Sequence, residues 1–306
     1  MFISRCGGTT RVPYSLSWMI PTTMERYREG LHACITGDID YFDTETIDCL
    51  RSYFLVLKRH GVPGTFFITA RAAGECPERV EFILKNGYDV QGHGDVHEAF
   101  TGSVTKQAAR LREMNRVFSD RFGITIQGFR APWYRHTTET YPALLKAGLK
   151  YDCSVKRFEI AFKGIPYIER RYLDAPGYRL VKPVLRCIGD AYNAFHRVPR
   201  GPYYVIPALL EIPTLGISDY SLIGDPKGPR YLPGDAGKIG DVWIECLKEL
   251  KNRGGGTLNI QAHPGRLSPS YVEGLDRFIT EAIRLGTRFT SPAEISREFA
   301  VISPGT

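Results

Sequence analysis

From Leu31 onward the apolar residues fall into two alternating rhythms. Short continuous apolar runs, the mark of strands buried on both faces, trade places with stripes recurring every three or four positions, the mark of helices. Ala33-Cys34-Ile35 reads as a buried strand running into Asp38-Ile39-Asp40, and Ile47, Leu50, Phe54 and Leu57 mark a helix that Gly61 stops. A strand at 64–68 follows, then a short helix through Val80, Phe82 and Ile83 to Asn86-Gly87, and a strand at 88–91. Ala108, Leu111, Met114, Phe118 and Phe122 predict a helix closed by Gly123, followed by a strand at 126–130, a helix at 138–149 and a strand at 151–155. The rhythm lapses from 156 to about Tyr204 and then resumes. A strand at 209–213 precedes a helical stripe (Val242, Trp243, Cys246, Leu247, Leu250) ending at Gly254-Gly255-Gly256. A strand at 257–261 leads to His263, and a helix through Leu275, Phe278, Ile279, Ala282 and Ile283 stops at Gly286. After a strand at 287–290, Ser291-Pro292-Ala293-Glu294 is a capping box with proline at the first helical position.

Strand–helix alternation over this length predicts an α/β fold with parallel strands. Periodicity alone does not separate a closed barrel from an open, doubly wound sheet. Residues 1–31 show no periodicity and read as an N-terminal extension or flap, with Tyr14, Trp18, Met19 and Ile20 between Pro13 and Pro21. The lapse at about 156–207 reads as an insertion into one domain spanning 32–300, because the alternation returns after it.

Composition narrows the class. With 306 residues, 43% hydrophobic and 24% charged, the chain has the makeup of a globular protein with a large core. No run approaches the ~18 apolar residues of a membrane span, and the N-terminus lacks a signal-peptide pattern. Seven cysteines, odd in number and without a CxxC, point to reduced thiols and a cytoplasmic setting. The net charge of +7 is concentrated: between Lys156 and Tyr204, ten Lys and Arg stand against four Asp and Glu. Such a stretch could meet a phosphate-bearing substrate or an anionic membrane surface, which would place the protein at the membrane periphery. It reads equally as a solvated basic loop, and no nucleic-acid partner is expected.

The candidate chemistry shares one phase with the strands. Asp38 and Asp40 end the first strand, His93 and His97 follow the third, Arg130 ends the fourth, Asp152 lies on the fifth and His263 follows a late one. Carboxyl ends of parallel strands converge on one face, where active sites form, and scattered surface charges would show no such phase. Two histidines four apart are by themselves as well read as buried polar rings, and an isolated Asp-x-Asp as turn or cap residues. Together, two histidines and one of the two aspartates make a ligand set that leaves positions open for water and substrate. The other aspartate is then placed to act as a base. His263 suits a general acid, or a core histidine behind Pro264. Arg130 could orient a carboxylate, or form a buried ion pair with Asp152; Trp133 and Tyr134 could line a sugar-binding face. P-loop, GxGxxG, GxSxG and HExxH signatures are absent.

In this order the motifs resemble the polysaccharide deacetylases with the NodB homology domain (carbohydrate esterase family 4). Thr36-Gly37-Asp38-Ile39-Asp40 is similar to the first motif and Gly64–Ile68 to the second strand. His93-Gly94-Asp95-Val96-His97 resembles the His-x-x-x-His motif, Arg130-Ala131-Pro132-Trp133 the Arg-x-Pro-aromatic motif, and Ala262-His263 the last motif. Asp152 falls where the fourth begins. The resemblance implies a distorted (β/α)7 barrel and metal-dependent removal of an N-acyl group from a sugar. By position Asp38 would be the base, and Asp40, His93 and His97 the ligands of a divalent metal, zinc being the one expected. His263 would be the acid, with Asp152 supporting it or its neighbourhood, Arg130 orienting the base and the backbone N–H near Trp133 holding the oxyanion. The first motif is Asp-x-Asp rather than Asp-Asp, which resembles the intracellular branch that contains cyclic amidases and lipid-linked sugar deformylases. The competing readings are therefore a deacetylase of an acylated sugar, free or on a nucleotide or lipid carrier, a C–N hydrolase of a small amide or ureide, and a non-catalytic carbohydrate-binding relative.

Overall fold

The computed structural model describes residues 22–41, 46–160, 178–224, 236–266 and 268–300. The aromatic N-terminal segment and residues 161–177 of the basic stretch lie outside them. The strands are β1 (Leu31–Ile39), β2 (Thr65–Ile68), β3 (Asp89–Gly92), β4 (Gly128–Phe129), β5 (Tyr151–Asp152), β6 (Lys156–Arg157), β7 (Tyr203–Ile206), β8 (Leu209–Glu211), β9 (Thr214–Leu215), β10 (Gly256–Ala262) and β11 (Arg288–Phe289). β1 is buried along all but its first residue. A strand covered on both faces has no solvent side, which is why its sequence is a run rather than an alternation. It pairs in parallel with β10 on one side and β2 on the other, and the parallel path continues through β3 and β4 to β5.

Two bent strands close the sheet. β5 and β6 belong to one stretch of chain, β8 and β9 to another. Near β4 these stretches pair as Tyr151 with Leu210 and Asp152 with Glu211; further on they pair as Lys156 with Thr214 and Arg157 with Leu215. The backbone ladder runs through the bend, from Ile212 N–H to Asp152 O at 2.9 Å, Thr214 N–H to Val155 O at 2.9 Å, and Gly216 N–H to Arg157 O at 2.7 Å. Thr214 also meets Asn259 on β10, which returns the path to β1. With each bent pair taken once, the circuit is the distorted (β/α)7 barrel. β7, antiparallel to β8, and β11, beside β1, lie off it.

The helix Ile47–His60 is capped by Thr46, whose hydroxyl accepts from Cys49 N–H, and ends at Gly61 in the left-handed conformation. It lays Leu50, Tyr53, Phe54 and Leu57 onto the barrel. Val104–Phe122 follows the same plan between Ser103 and Gly123. Ser291 caps the helix Pro292–Ala300, with Glu294 N–H donating to Ser291 Oγ at 3.1 Å, while the Glu294 carboxylate accepts from Thr290 Oγ1 and Arg288 rather than closing the box. Four α-helices among the described residues escaped the periodicity: Thr22–Glu29, Ala70–Glu75, Tyr178–Phe195 and Asp219–Ile223. Ala70–Glu75 is mostly small residues and offers no stripe. Tyr178–Phe195 lies in the stretch where the rhythm lapses. Its apolar residues Leu180, Val181, Val184, Leu185 and Ile188 do recur at helical spacing, although Leu180, Val184 and Ile188 are exposed. The interior Pro183 and the surrounding Pro, Gly and basic residues hid that stripe in the sequence. No helix among the described residues is long and apolar enough to cross a membrane.

Candidate active site

Asp40 leaves the end of β1, and His93 and His97 sit in the loop after β3. Asp40 Oδ1 lies 3.2 Å from His93 Nε2 and 3.1 Å from His97 Nε2. The loop, not a helical turn, brings the histidines together. It is pinned by backbone bonds from His93 N–H to Ile68 O, Ala70 N–H to Gly94 O and Arg71 N–H to Asp95 O, each 2.9 Å. Gly94 takes φ 96°, where a side chain is strained, and a Cβ there would also press on Phe100 and Val96 O at 3.0 Å. Arg110 grips the Asp95 carboxylate through Nη2 at 2.7 Å and Nε at 2.9 Å, tying the loop to the following helix.

The cluster fits a divalent cation. His93 Nδ1 is 2.7 Å from the Arg130 carbonyl. Only an N–H can serve that acceptor, so in the neutral ring the lone pair is on Nε2, facing Asp40. Asp40 Oδ1 is buried and receives no conventional hydrogen bond among the described residues. One anionic oxygen and two imidazole nitrogens, all within 4.8 Å of one another, make a set that could hold a metal ion. Without a cation, a proton substitutes. Burial opposes charge on His93, but Asp38 and Asp40 outweigh it and raise its pKa. Burial also opposes charge on Asp40, yet the close approach of His93 and the charge of the nearby histidines hold its carboxyl well below the usual range. His97 is pulled down to about 4, by burial first and by His93 besides, against the attraction of Asp40.

Asp38, two residues before Asp40, is 2% exposed and held at both oxygens. Arg130 Nη1 donates to Oδ1 at 2.7 Å, and Gln261 Nε2 donates to Oδ2. Arg130 is wholly buried, donating also to Thr36 Oγ1 at 2.8 Å, Thr214 Oγ1 at 3.1 Å and Cys153 O at 3.3 Å. Its guanidinium stacks over Phe67 at 4.2 Å. Its ion-pair partner is therefore Asp38, not Asp152. After Arg130 the chain enters a tight turn in which Trp133 and Tyr134 have φ of 53° and 59°. Tyr134 N–H bonds Ala131 O and Arg135 N–H bonds Pro132 O, both at 2.9 Å, and neither bond uses the N–H of Trp133. The Trp133 ring is 54% exposed and meets His97 edge-on at 4.7 Å, while the Tyr134 hydroxyl is buried with no hydrogen-bond partner among the described residues.

His263 follows β10, close enough that its charge acts on Asp40 and His97. Its Nδ1 is 2.5 Å from Asp219 Oδ1, and its backbone N–H donates to Asp219 Oδ2 at 2.6 Å. Tyr271 Oη donates to the same carboxylate at 3.0 Å. The expectation that Asp152 supports His263 is thus corrected: Asp219 holds that place. Asp152 is buried on β5 and accepts from Cys153 N–H and Ser154 Oγ. Sequence reasoning missed Asp219 because Ser218-Asp219 opens a short helix with no apolar stripe, and missed Gln261 because it reads as an ordinary strand residue. The spacing of both from strand ends is the signal that could have found them. Of the other histidines, His32 packs on Tyr27, His60 pairs with Asp276, His136 meets the Tyr141 hydroxyl and His196 lies against Tyr192.

A parallel barrel thus carries at its strand ends an Asp-His-His group that could hold a metal ion, an arginine-held aspartate and an aspartate-held histidine. The comparisons with known proteins agree. Residues 41–151 match the sequence model described as polysaccharide deacetylase. A peptidoglycan deacetylase from Helicobacter pylori (strain ATCC 700392 / 26695) is 30% identical over 101 residues, which are 33% of this chain and 34% of that protein, so the match spans about a third of the relative's length. Among solved structures, a candidate polysaccharide deacetylase from Mycobacterium smegmatis superposes with TM-score 0.64 at 18% identity, covering 91% of this chain and 94% of that one. Puue allantoinase superposes with TM-score 0.62 at 15% identity, covering 98% and 100%. At these identities the structural likeness speaks for the fold. The likeness read from the motifs is thus matched by a sequence similarity over residues 41–151 to polysaccharide deacetylases and by a barrel of the same fold.

Proposed function

We propose that this chain is a metal-dependent hydrolase that removes an N-acetyl group from an amino sugar. The observation that carries the reading is the juxtaposition of Asp38, gripped by Arg130 and Gln261, with the Asp40, His93 and His97 cluster two residues away. A divalent cation held by those three, with zinc suited to the nitrogen and oxygen donors, supplies an acidified water and a polarised amide carbonyl. Asp38 takes the proton from the attacking water, and Arg130 and Gln261 fix the direction from which it does so. In this reading the Trp133 N–H, at the strained turn, stabilises the developing oxyanion. His263 donates its Nδ1–H to Asp219, so Nε2 is the nitrogen that delivers a proton to the leaving amine. Trp133 and Tyr134 flank the sugar. The barrel from β1 to the helix Pro292–Ala300 forms the catalytic unit, the stretch that follows β6 up to about residue 207 is an insertion into it, and its basic residues meet a phosphate-bearing or lipid-linked carrier at the cytoplasmic membrane periphery.

The test has two parts. Elemental analysis of wild type and His93→Ala, purified without added metal, should find about one ion per chain in the first and loss in the second. Wild type should then release acetate from N-acetylated amino sugars. Ammonia release from ureides without acetate release would move the reading to a C–N hydrolase. Metal binding without turnover on either class would leave a carbohydrate-binding relative.

A further inference from the structure

β5 and β8 set two carboxyl groups side by side in the barrel wall. Asp152 and Glu211 are register partners on adjacent parallel strands, and neither has any exposure. Each is anchored by one oxygen. Asp152 Oδ1 accepts from Cys153 N–H at 2.9 Å and from Ser154 Oγ at 2.6 Å, and Glu211 Oε1 accepts from Val155 N–H at 3.1 Å. The second oxygens, Asp152 Oδ2 and Glu211 Oε2, are buried and receive no donor among the described residues. The two carboxyls are nevertheless within hydrogen-bonding reach of each other. Two ionised carboxylates cannot satisfy that arrangement, whereas one proton between them can.

Among the described residues neither carboxyl has an ion-pair partner, although Arg130 and His136 lie near enough to act on the pair. The titratable groups that act on it are Arg130, His136, Cys153, Tyr141 on the helix Thr140–Lys146, and Tyr203 on β7. Arg130 is committed to Asp38, and His136 hydrogen-bonds the Tyr141 hydroxyl at 3.0 Å. Burial and the neighbouring carboxyl accordingly push Glu211 well above its ordinary range, and burial raises Asp152. What the pair holds is the turn of the active site. Ser154 Oγ, donating to Asp152, accepts from Ala131 N–H at 2.8 Å. Ala131 begins the turn in which Trp133 and Tyr134 keep left-handed backbone angles, a conformation that persists only where the surroundings impose it.

We propose that Asp152 and Glu211 share one proton and act as a positioning pair, holding the Ala131–Tyr134 turn through Ser154 so that Trp133 N–H faces the reacting carbonyl. The last step rests on the function proposed above. Losing the shared proton places two like charges in contact, drives the carboxyls apart and releases Ser154 and the turn.

Two readouts on the full, metal-loaded chain test this: acetate release from tetra-N-acetylchitotetraose against pH, and Trp133 emission against pH, taken as the difference from Trp133→Phe. Wild type should lose kcat and change emission together on the alkaline side. Glu211→Gln supplies a permanent N–H donor to Asp152, so it should keep kcat near neutral pH and abolish the alkaline emission change. Glu211→Ala and Ser154→Ala should lower kcat about tenfold or more with KM little altered, the order expected for one oxyanion donor displaced. An unchanged alkaline transition in Glu211→Gln overturns the proposal. If Glu211→Gln does not fold, Ser154→Ala decides alone: an emission transition identical to wild type overturns it. A Glu211-dependent emission change in a chain that releases no acetate upholds the shared proton and overturns the reaction instead.

Discussion

At the scale of single residues the site assigns opposite duties to two aspartates two positions apart. Asp40 faces two imidazoles, while Asp38 faces a guanidinium and an amide. Asp38→Asn should therefore keep the metal and lower turnover by roughly 10²–10⁴-fold, the worth of a general base. Asp40→Asn should lose the metal, and the reverse result by elemental analysis would exchange their roles. Asp219→Asn should leave metal content intact and lower kcat by about 10²-fold or more, because the amide no longer orients His263 through a carboxylate. Unchanged kcat in that variant would remove His263 from the proton path. Metal-free protein near pH 6 should carry a proton on His93 and none on His97, so metal uptake there should release about one proton. Calorimetry in buffers of different ionisation enthalpy measures that number.

At the scale of elements, the strand ends are held by close packing as much as by hydrogen bonds. A Cβ on Gly128 would lie 2.1 Å from the Tyr151 ring on the neighbouring strand, so β4 and β5 approach at their observed spacing only because Gly128 has no side chain. Gly128→Ala should cost about 1–3 kcal/mol of stability, the usual penalty of overpacking, and chemical denaturation would measure it. A neutral effect would mean that the two strands can separate without loss. Arg130 joins β4 to β1 from inside the barrel. Arg130→Met leaves Asp38 buried without its counter-charge and should destabilise the fold by ~3–5 kcal/mol.

At the scale of the whole molecule, the polar interior couples stability to pH. In the metal-free protein the folded pKa of His97, about 4, lies below its ordinary 6.5, so the unfolded chain takes up the proton first as pH falls. This group contributes stability that is fully present above about pH 6.5 and lost as pH falls through about 4. His93 works in the opposite direction. Its raised pKa adds stability below its ordinary value that disappears as pH rises through the folded value. Unfolding measured from pH 7 to pH 4 should fall more steeply for wild type than for His97→Gln; equal slopes would place His97 outside the linkage.

The sequence by itself determined the alternation of buried runs and amphipathic stripes, because strand and helix periods are local properties of the chain. It also determined the phase of Asp38, Asp40, His93, His97, Arg130 and His263, because each stands at a strand end that the rhythm marks. Closure of the barrel was decided only in three dimensions, since it depends on which strands β5/β6 and β8/β9 meet. The same holds for partners drawn from distant segments: Asp219 for His263, Gln261 for Asp38 and Glu211 for Asp152. No local rule links residues 44 or 223 positions apart. Such pairs exist because folding excludes water from one strand-end face, and every buried charge there must find a partner.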